Sequence, residues 1–124
     1  MTMILTVVGP GDKIIVPRNV HKSIMSAIVF AGAIPIFIHP EVDTELGISH
    51  GISPESVERA LTTYPDAKAV LVINPTYFGF VADLKRIVDI VHARNIPVIV
   101  DEAHGVHIKF HDDLPLSAMQ AGAD

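Results

Sequence analysis

The chain has 124 residues, of which 49% are hydrophobic, and its 14 Asp and Glu against 9 Lys and Arg give a net charge of −5. This acidic balance argues against a nucleic-acid-binding or anionic-membrane surface, and the lack of cysteine excludes disulfides and zinc–thiolate sites. The length suits one domain, and we expect it in the cytoplasm, because its N-terminal apolar run is too short to span a bilayer and lacks the basic flank of a signal peptide.

The first third of the chain alternates between helix and strand patterns. Residues 3–8 are predicted to end a buried helix, which the breakers Gly9-Pro10-Gly11 close. Residues 12–17 are predicted to form a strand, and residues 21–31 a helix whose apolar side chains recur at i, i+3, i+4 and i+7. Residues 33–39 form the second predicted strand, and Pro35 suits a sheet edge because an edge strand can lack one ladder donor.

The alternation continues after a predicted polar loop at residues 40–51. A helix is predicted to begin with Ser53 as its N-cap and Pro54 in its first turn. The remaining predicted elements are a strand at 67–73, a helix at 83–94, a strand at 97–101 and a short helix at 115–121. Strands that alternate with helices indicate an α/β fold: a parallel sheet of about four strands, in the order 2-1-3-4, flanked by helices.

The segment Pro97-Val98-Ile99-Val100-Asp101 is apolar on both faces, which is typical of a strand in the middle of a parallel sheet. Asp101 would then lie at the carboxyl end of its strand, where open α/β sheets bind ligands. Two other polar loops, at residues 18–22 and 74–79, also follow strands. We therefore expect the three loops to converge on one edge and form the site.

The loop that begins at Asp101 is compatible with several kinds of site. Asp101-Glu102-Ala103-His104 also occurs in DEAH-type helicases, but those enzymes need a Walker A loop, which this chain lacks. His104, His107 and His111 have the spacing of metal ligands on a helix, yet Gly105 and neighbouring β-branched residues disfavour a helix there. A Ser-His-Asp nucleophile lacks its G-x-S-x-G elbow.

Three segments together carry a family resemblance: residues 11–23 (GDKIIVPRNVHKS), 74–79 (NPTYFG) and 100–105 (VDEAHG). In this order they resemble the Orn/Lys/Arg decarboxylase family of fold-type-I enzymes that use pyridoxal 5'-phosphate (PLP), and the likeness covers essentially the whole chain. It implies an aspartate-aminotransferase-like large domain. It also implies decarboxylation of a basic amino acid (arginine, lysine or ornithine) by a homo-oligomer, a dimer or higher.

The resemblance also implies roles for individual residues. Asp101 is similar to the carboxylate that pairs with the pyridine nitrogen of PLP, where a charge-assisted hydrogen bond keeps the ring protonated. His21 is similar to the residue stacked on the open face of the ring, and Ala103 to the small residue against the other face. Either Asn74 or Thr76 lies where related enzymes contact the ring hydroxyl.

His104 is expected to join His21 as a catalytic residue, although the resemblance does not fix its role. The family's phosphate-binding loop would lie before Met1 and its Schiff-base lysine after Asp124, and none of the lysines present matches the family position. We therefore expect residues 1–124 to be a partial PLP-binding domain that is truncated at both ends and inactive alone.

Two alternatives stay open on the sequence. The chain could belong to a PLP enzyme of another class, an aminotransferase or a Cys–S lyase, because the Asn-Pro-Thr and Asp signals are shared across that fold. It could also be a non-catalytic fragment that associates through an exposed sheet edge. The His21-Lys22-Ser23 and Asp101–Gly105 segments favour the decarboxylases.

Overall fold

The computed structural model describes all 124 residues and contains a four-stranded parallel sheet. The strands, in chain order, are β1 (Lys13–Pro17), β2 (Ile34–Ile38), β3 (Val42–Asp43), β4 (Ile48–Ser49), β5 (Ala67–Ile73) and β6 (Val98–Asp101). The four longer strands make the sheet in the order β2-β1-β5-β6, which confirms the predicted order. Pro35 lies on β2 at one edge, as predicted.

Helices connect the strands and cover both faces of the sheet. They are α1 (Thr2–Val7), α2 (Lys22–Ala31), α3 (Pro54–Thr63), α4 (Leu84–His92) and α5 (Ala118–Ala121), with a 3-10 turn at Ile108–Phe110. The predicted cap of α3 is present, because the Ser53 hydroxyl accepts a hydrogen bond from the Ser56 amide at 3.2 Å. Gly32 ends α2 with a φ of 66°, a left-handed conformation that favours glycine.

Alternate strand residues point to opposite faces, so the sheet separates two apolar cores. Ile14 and Leu71 pack with α1 and α2 on one face. Ile15 and Val70 pack with α3, α4 and α5 on the other face. This double burial explains why the central strands are almost entirely apolar.

Three expectations were wrong in part. Residues 40–51 are not all loop, because β3 and β4 pair as an antiparallel hairpin. Each strand has only two residues, which is too short to show the alternation of apolar residues that predicts a strand. The β6 strand lies at the edge of the four-stranded sheet and not in its middle. Finally, α1 is only half buried: Ile4 is buried, whereas Met3 and Leu5 are each 48% exposed.

Candidate functional site

The carboxyl ends of β5 and β6 place two of the predicted site residues side by side. Asp101 is the last residue of β6 and lies opposite Ile73 in the parallel ladder. The next residue along β5, Asn74, donates its backbone N–H to the Asp101 carbonyl at 3.0 Å. The register of two buried strands therefore fixes the distance between the backbones of Asn74 and Asp101.

Asp101 is half-buried and faces a cavity of about 240 Å³ beside the sheet. Residues of α1 and of the start of α2 form the other walls, and Ser23 contributes a hydroxyl to a lining that is otherwise mostly apolar. One carboxylate oxygen of Asp101 accepts a hydrogen bond from the Ala103 amide at 3.2 Å. An apolar cavity with one carboxylate suits an aromatic ring that carries a protonated nitrogen.

Asn74 has a buried donor that no protein group satisfies. The side chain is 1% exposed, and its Oδ1 accepts a hydrogen bond from the Ala82 amide at 2.8 Å. This bond fixes the orientation of the amide, so the remaining atom is the donor Nδ2, which is buried and has no partner. A buried N–H group without an acceptor costs free energy, and such exceptions mark places where an acceptor from outside the chain can bind.

Thr76 is also buried, at 2% exposed, but its polar groups hold the loop together. Its hydroxyl oxygen accepts a hydrogen bond from the Phe80 amide at 3.2 Å, and its own amide donates to the Phe80 carbonyl at 2.8 Å. The two candidates for the ring hydroxyl therefore differ, because only Asn74 holds a donor that is known to be unpaired.

His21 lies at the rim of this edge, as the N-cap of α2. Its Nδ1 accepts a hydrogen bond from the Ser23 amide at 3.2 Å and lies 2.9 Å from the Ser23 hydroxyl. The His21 ring is exposed. Its hydrogen-bond partner Ser23 lines the cavity. No hydrogen bond joins His21 to Asp101, although both follow strands at the carboxyl edge of the sheet.

Ala103 and His104 are both exposed in the turn after β6. The His104 ring packs edge-on against Tyr77, with 5.5 Å between ring centroids, and Tyr77 meets Phe78 in the same manner at 5.3 Å. Tyr77 is 77% exposed. Sequence reasoning gave this aromatic group no role, although an exposed Tyr-Phe pair in a loop beside a site is a usable signal.

Two further residues of this edge were missed. The Glu102 carboxylate accepts a hydrogen bond from the amide of Ala118, the first residue of α5, at 2.8 Å. Gly105 is buried where a Cβ atom would lie 2.7 Å from both Glu102 and Pro75. No local pattern predicts the first contact, because its partners are 16 residues apart.

The helical metal-site hypothesis is not supported. His104 and His107 lie in turns before the short 3-10 segment, and His111 follows it, so the three histidines do not share an α-helical face. No group of three or more histidine or carboxylate side chains is arranged to hold a metal ion. None of the helices has the length and apolar character needed to span a membrane.

Two carboxyl groups with a lowered pKa lie at the opposite end of the sheet. The pKa of Asp66, just before β5, is lowered mainly by a hydrogen bond from Lys13 at 2.7 Å. The pKa of Asp124 is lowered first by the Val98 amide and then by His92, at 2.9 Å and 2.8 Å. Asp66 thus bonds the first residue of β1, and Asp124 bonds the first residue of β6, both at the end of the sheet away from the candidate site.

Comparison with protein families gives a match over the whole chain. The model of the Orn/Lys/Arg decarboxylase major domain matches residues 1–124. The arginine decarboxylase of Bacillus subtilis (strain 168) is 75% identical over all 124 residues, which make up 25% of that protein. The arginine decarboxylase of Bacillus cereus is 70% identical, and the match covers 27% of it. The chain thus spans about a quarter of the length of these relatives.

Solved structures show the same architecture. The alanine aminotransferase of Pyrococcus furiosus superposes with a TM-score of 0.71 at 24% identity, over 98% of this chain and 30% of that one. The aspartate aminotransferase of Thermus thermophilus with maleate has a TM-score of 0.65 at 25% identity, over 80% of this chain and 25% of that one. The likeness confirms the predicted aspartate-aminotransferase-like fold.

Proposed function

Because this chain belongs to the Orn/Lys/Arg decarboxylase family, we propose that it forms the cofactor-binding floor of a PLP-dependent decarboxylase whose substrate is arginine. The family match supports decarboxylation of a basic amino acid, and the relatives named arginine decarboxylase favour arginine over lysine and ornithine. Because the chain spans only about a quarter of the length of these relatives, we propose the activity for a protein of their full length that contains residues 1–124.

The residues at the carboxyl edge fit the PLP ring. The observation that carries the proposal is the unpaired buried Nδ2 of Asn74, a residue whose backbone N–H bonds the Asp101 carbonyl, because a ring with a hydroxyl oxygen and a basic nitrogen needs one donor and one carboxylate. Asn74 would donate to the ring oxygen, a choice the sequence left open between Asn74 and Thr76. Asp101 would accept from the protonated ring nitrogen, since only one of its oxygens bonds Ala103.

Bound PLP supplies an electron sink for the pair of electrons left when carbon dioxide departs. The chain's own residues hold that ring in place. The Asp101 carboxylate would keep a proton on the ring nitrogen, His21 would cover one face from the start of α2, and Ala103 would offer a small side chain to the other face. His104, packed against Tyr77, lies in the same turn as Ala103 and is the second catalytic candidate.

Two other functions can be compared with the proposed decarboxylase. Aminotransferases share the fold, but the likeness to the Pyrococcus furiosus enzyme is below 25% identity and bears on the fold alone. A non-catalytic association fragment would use the same fold without the ring contacts. The buried unpaired donor of Asn74 argues against it, because a purely structural loop gains nothing from an unsatisfied amide.

We also propose that the complete protein is a cytoplasmic homo-oligomer, a dimer or higher. Val106, Phe110 and Met119 are each at least 73% exposed and surround an open groove of about 770 Å³ that includes Glu102. Exposed apolar patches of this kind mark association surfaces. Light scattering on the purified full-length protein measures the oligomeric state, and a monomer would contradict this part of the proposal.

The decisive experiment is the Asp101→Asn substitution in the full-length decarboxylase that contains this chain. Asn cannot stabilise a proton on the ring nitrogen, so we expect kcat for arginine to fall by about 10²–10³, the cost of removing one preorganised electrostatic group. Asp112→Asn, an exposed carboxylate in a later turn, is the matched control. A wild-type protein that neither binds PLP nor releases carbon dioxide from arginine, lysine or ornithine would refute the proposal.

A further inference from the structure

The carboxylate next to Asp101 is turned away from the cavity and holds another element. Glu102 Oε1 accepts a hydrogen bond from the Ala118 amide at 2.8 Å, in a partly buried position. Ala118 is the first residue of α5, where backbone N–H groups have no partner within the helix. Glu102 therefore joins the turn that follows β6 to a helix 16 residues further along the chain.

Two other amides at the start of α5 are satisfied without Glu102. Ser117 and Gln120 form a capping box, in which the Ser117 hydroxyl accepts from the Gln120 amide at 3.4 Å and the Gln120 side chain accepts from the Ser117 amide at 3.0 Å. The box leaves the Ala118 amide for Glu102. The donor to Glu102 is therefore the Ala118 amide alone.

The stem of Glu102 and the ring of Pro75, which follows Asn74, both pack against Gly105. A Cβ atom on Gly105 would lie 2.7 Å from Glu102 Cγ and 2.7 Å from Pro75 Cδ, so the Gly105 backbone packs directly against both residues. Gly105 donates its amide to the Glu102 carbonyl at 2.9 Å and closes the turn. The turn of residues 101–105 is thus fixed at three places: to α5, to Pro75 and to itself.

We propose that Glu102 is a positioning residue for the cofactor ring: by anchoring the 101–105 turn to α5, it fixes the Asp101 carboxylate relative to the Asn74 amide. The inference rests on the proposed function and deepens it, since it assigns the second carboxylate of the Asp101-Glu102-Ala103-His104 segment. Loss of the anchor frees the turn on its α5 side, while Asp101 and Asn74 themselves remain unchanged. The ring then loses the fit of its nitrogen to Asp101.

The test compares four variants of the full-length decarboxylase. Glu102→Ala removes the acceptor, whereas Glu102→Gln keeps an oxygen at the same place. Ala118→Pro removes the donor without touching Glu102; proline suits the first helical position, and Ser117, with φ −66° and ψ 164°, has the conformation that precedes proline. Glu58→Gln, on the exposed face of α3, is the control.

The readouts are the PLP dissociation constant, the pH dependence of the visible absorbance of bound PLP at saturation, and kcat and KM for arginine. We expect Glu102→Ala and Ala118→Pro to lower kcat about 10- to 100-fold, the usual effect of losing a group that orients a ligating residue. The absorbance of PLP bound to these two variants should depend on pH as it does in Asp101→Asn, because all three substitutions weaken the contact between Asp101 and the ring nitrogen. Glu102→Gln and Glu58→Gln should match the wild type.

Each alternative result has its own meaning. If both Glu102→Ala and Ala118→Pro keep the wild-type spectrum and kcat at saturating PLP, the positioning role is wrong, even if their stability falls. If Glu102→Gln is as impaired as Glu102→Ala, the anchor model is also wrong, because the charge and not the hydrogen bond then matters. A wild type that binds no PLP defeats the proposed function itself, a result that is distinct from both.

Discussion

Replacing Gly105 with alanine tests the packing that joins the β5 and β6 loops. The new Cβ atom would lie 2.7 Å from Glu102 Cγ and from Pro75 Cδ, closer than carbon atoms approach in proteins, and 3.1 Å from Ile108 Cδ1, a tight contact. Pro75 is a buried ring and Ile108 is buried, so the strain cannot be relieved by moving the end of a flexible side chain. Overpacking of this kind costs about 1–3 kcal/mol.

Part of that cost is offset in the unfolded chain. Alanine has fewer unfolded conformations than glycine, which stabilises a compatible site by about 0.4–1 kcal/mol. The net expectation for Gly105→Ala is therefore a loss of about 1–2 kcal/mol in the free energy of unfolding. Because the shifted backbone carries the 101–105 turn, PLP binding should weaken as well.

The matched control is Gly9→Ala. Its Cβ atom would meet only an Asp12 carboxylate oxygen at 3.8 Å, an ordinary contact, and Gly9 has no positive φ. Urea unfolding of the full-length wild type and both variants, followed by circular dichroism, measures the difference. If Gly105→Ala is as stable as Gly9→Ala, the tight packing between the two loops is not real, and the anchoring of the site through Glu102 loses its structural basis.

Two further predictions concern the ends of the sheet. Asn74→Ala and Thr76→Val each remove the acceptor of one loop amide and should cost about 1–2 kcal/mol in urea unfolding. Only Asn74→Ala removes an unpaired donor, so only it should weaken PLP binding in a fluorescence titration; the reverse ranking would assign the ring hydroxyl to Thr76. The pKa of Asp124 lies below its ordinary value of 3.8 because of hydrogen bonds from Val98 and His92, so the folded state binds fewer protons there than the unfolded state. Its stabilisation is present above 3.8 and is lost as the pH falls through the lowered pKa, and Asp124→Asn should flatten the acid side of a stability–pH curve.

Local patterns predicted most of the elements. The strands at residues 67–73 and 97–101 and the helix at 83–94 follow from apolar runs of the right length and period, and Ser53-Pro54 marked the start of α3. Helix and strand patterns depend on neighbours only a few residues apart, so a single sequence carries them. The alternation of the two then indicated a parallel sheet with right-handed crossovers, which is compatible with the observed order.

The same reasoning failed where few residues carry the structure. The hairpin of β3 and β4 has two residues in each strand, and its turn is held by the Asp43 carboxylate, which accepts from the amides of Glu45 and Leu46 at 2.9 Å. Polar residues in this pattern are equally compatible with an open loop. Apolarity on both faces of β6 likewise shows burial on both faces but does not show how many strands flank it.

The sequence by itself determined most of the elements, the parallel sheet and the arrival of three polar loops at its carboxyl edge, because each depends on side-chain period and on short-range sterics. Only the tertiary structure decided which polar atoms at that edge are free. It showed that Glu102 is bound to Ala118, that Thr76 is bound to Phe80, and that the Asn74 donor has no partner. The pairing of Glu102 with Ala118 joins atoms whose separation is set by the packing of separate elements, and no spacing of residues along the chain encodes it.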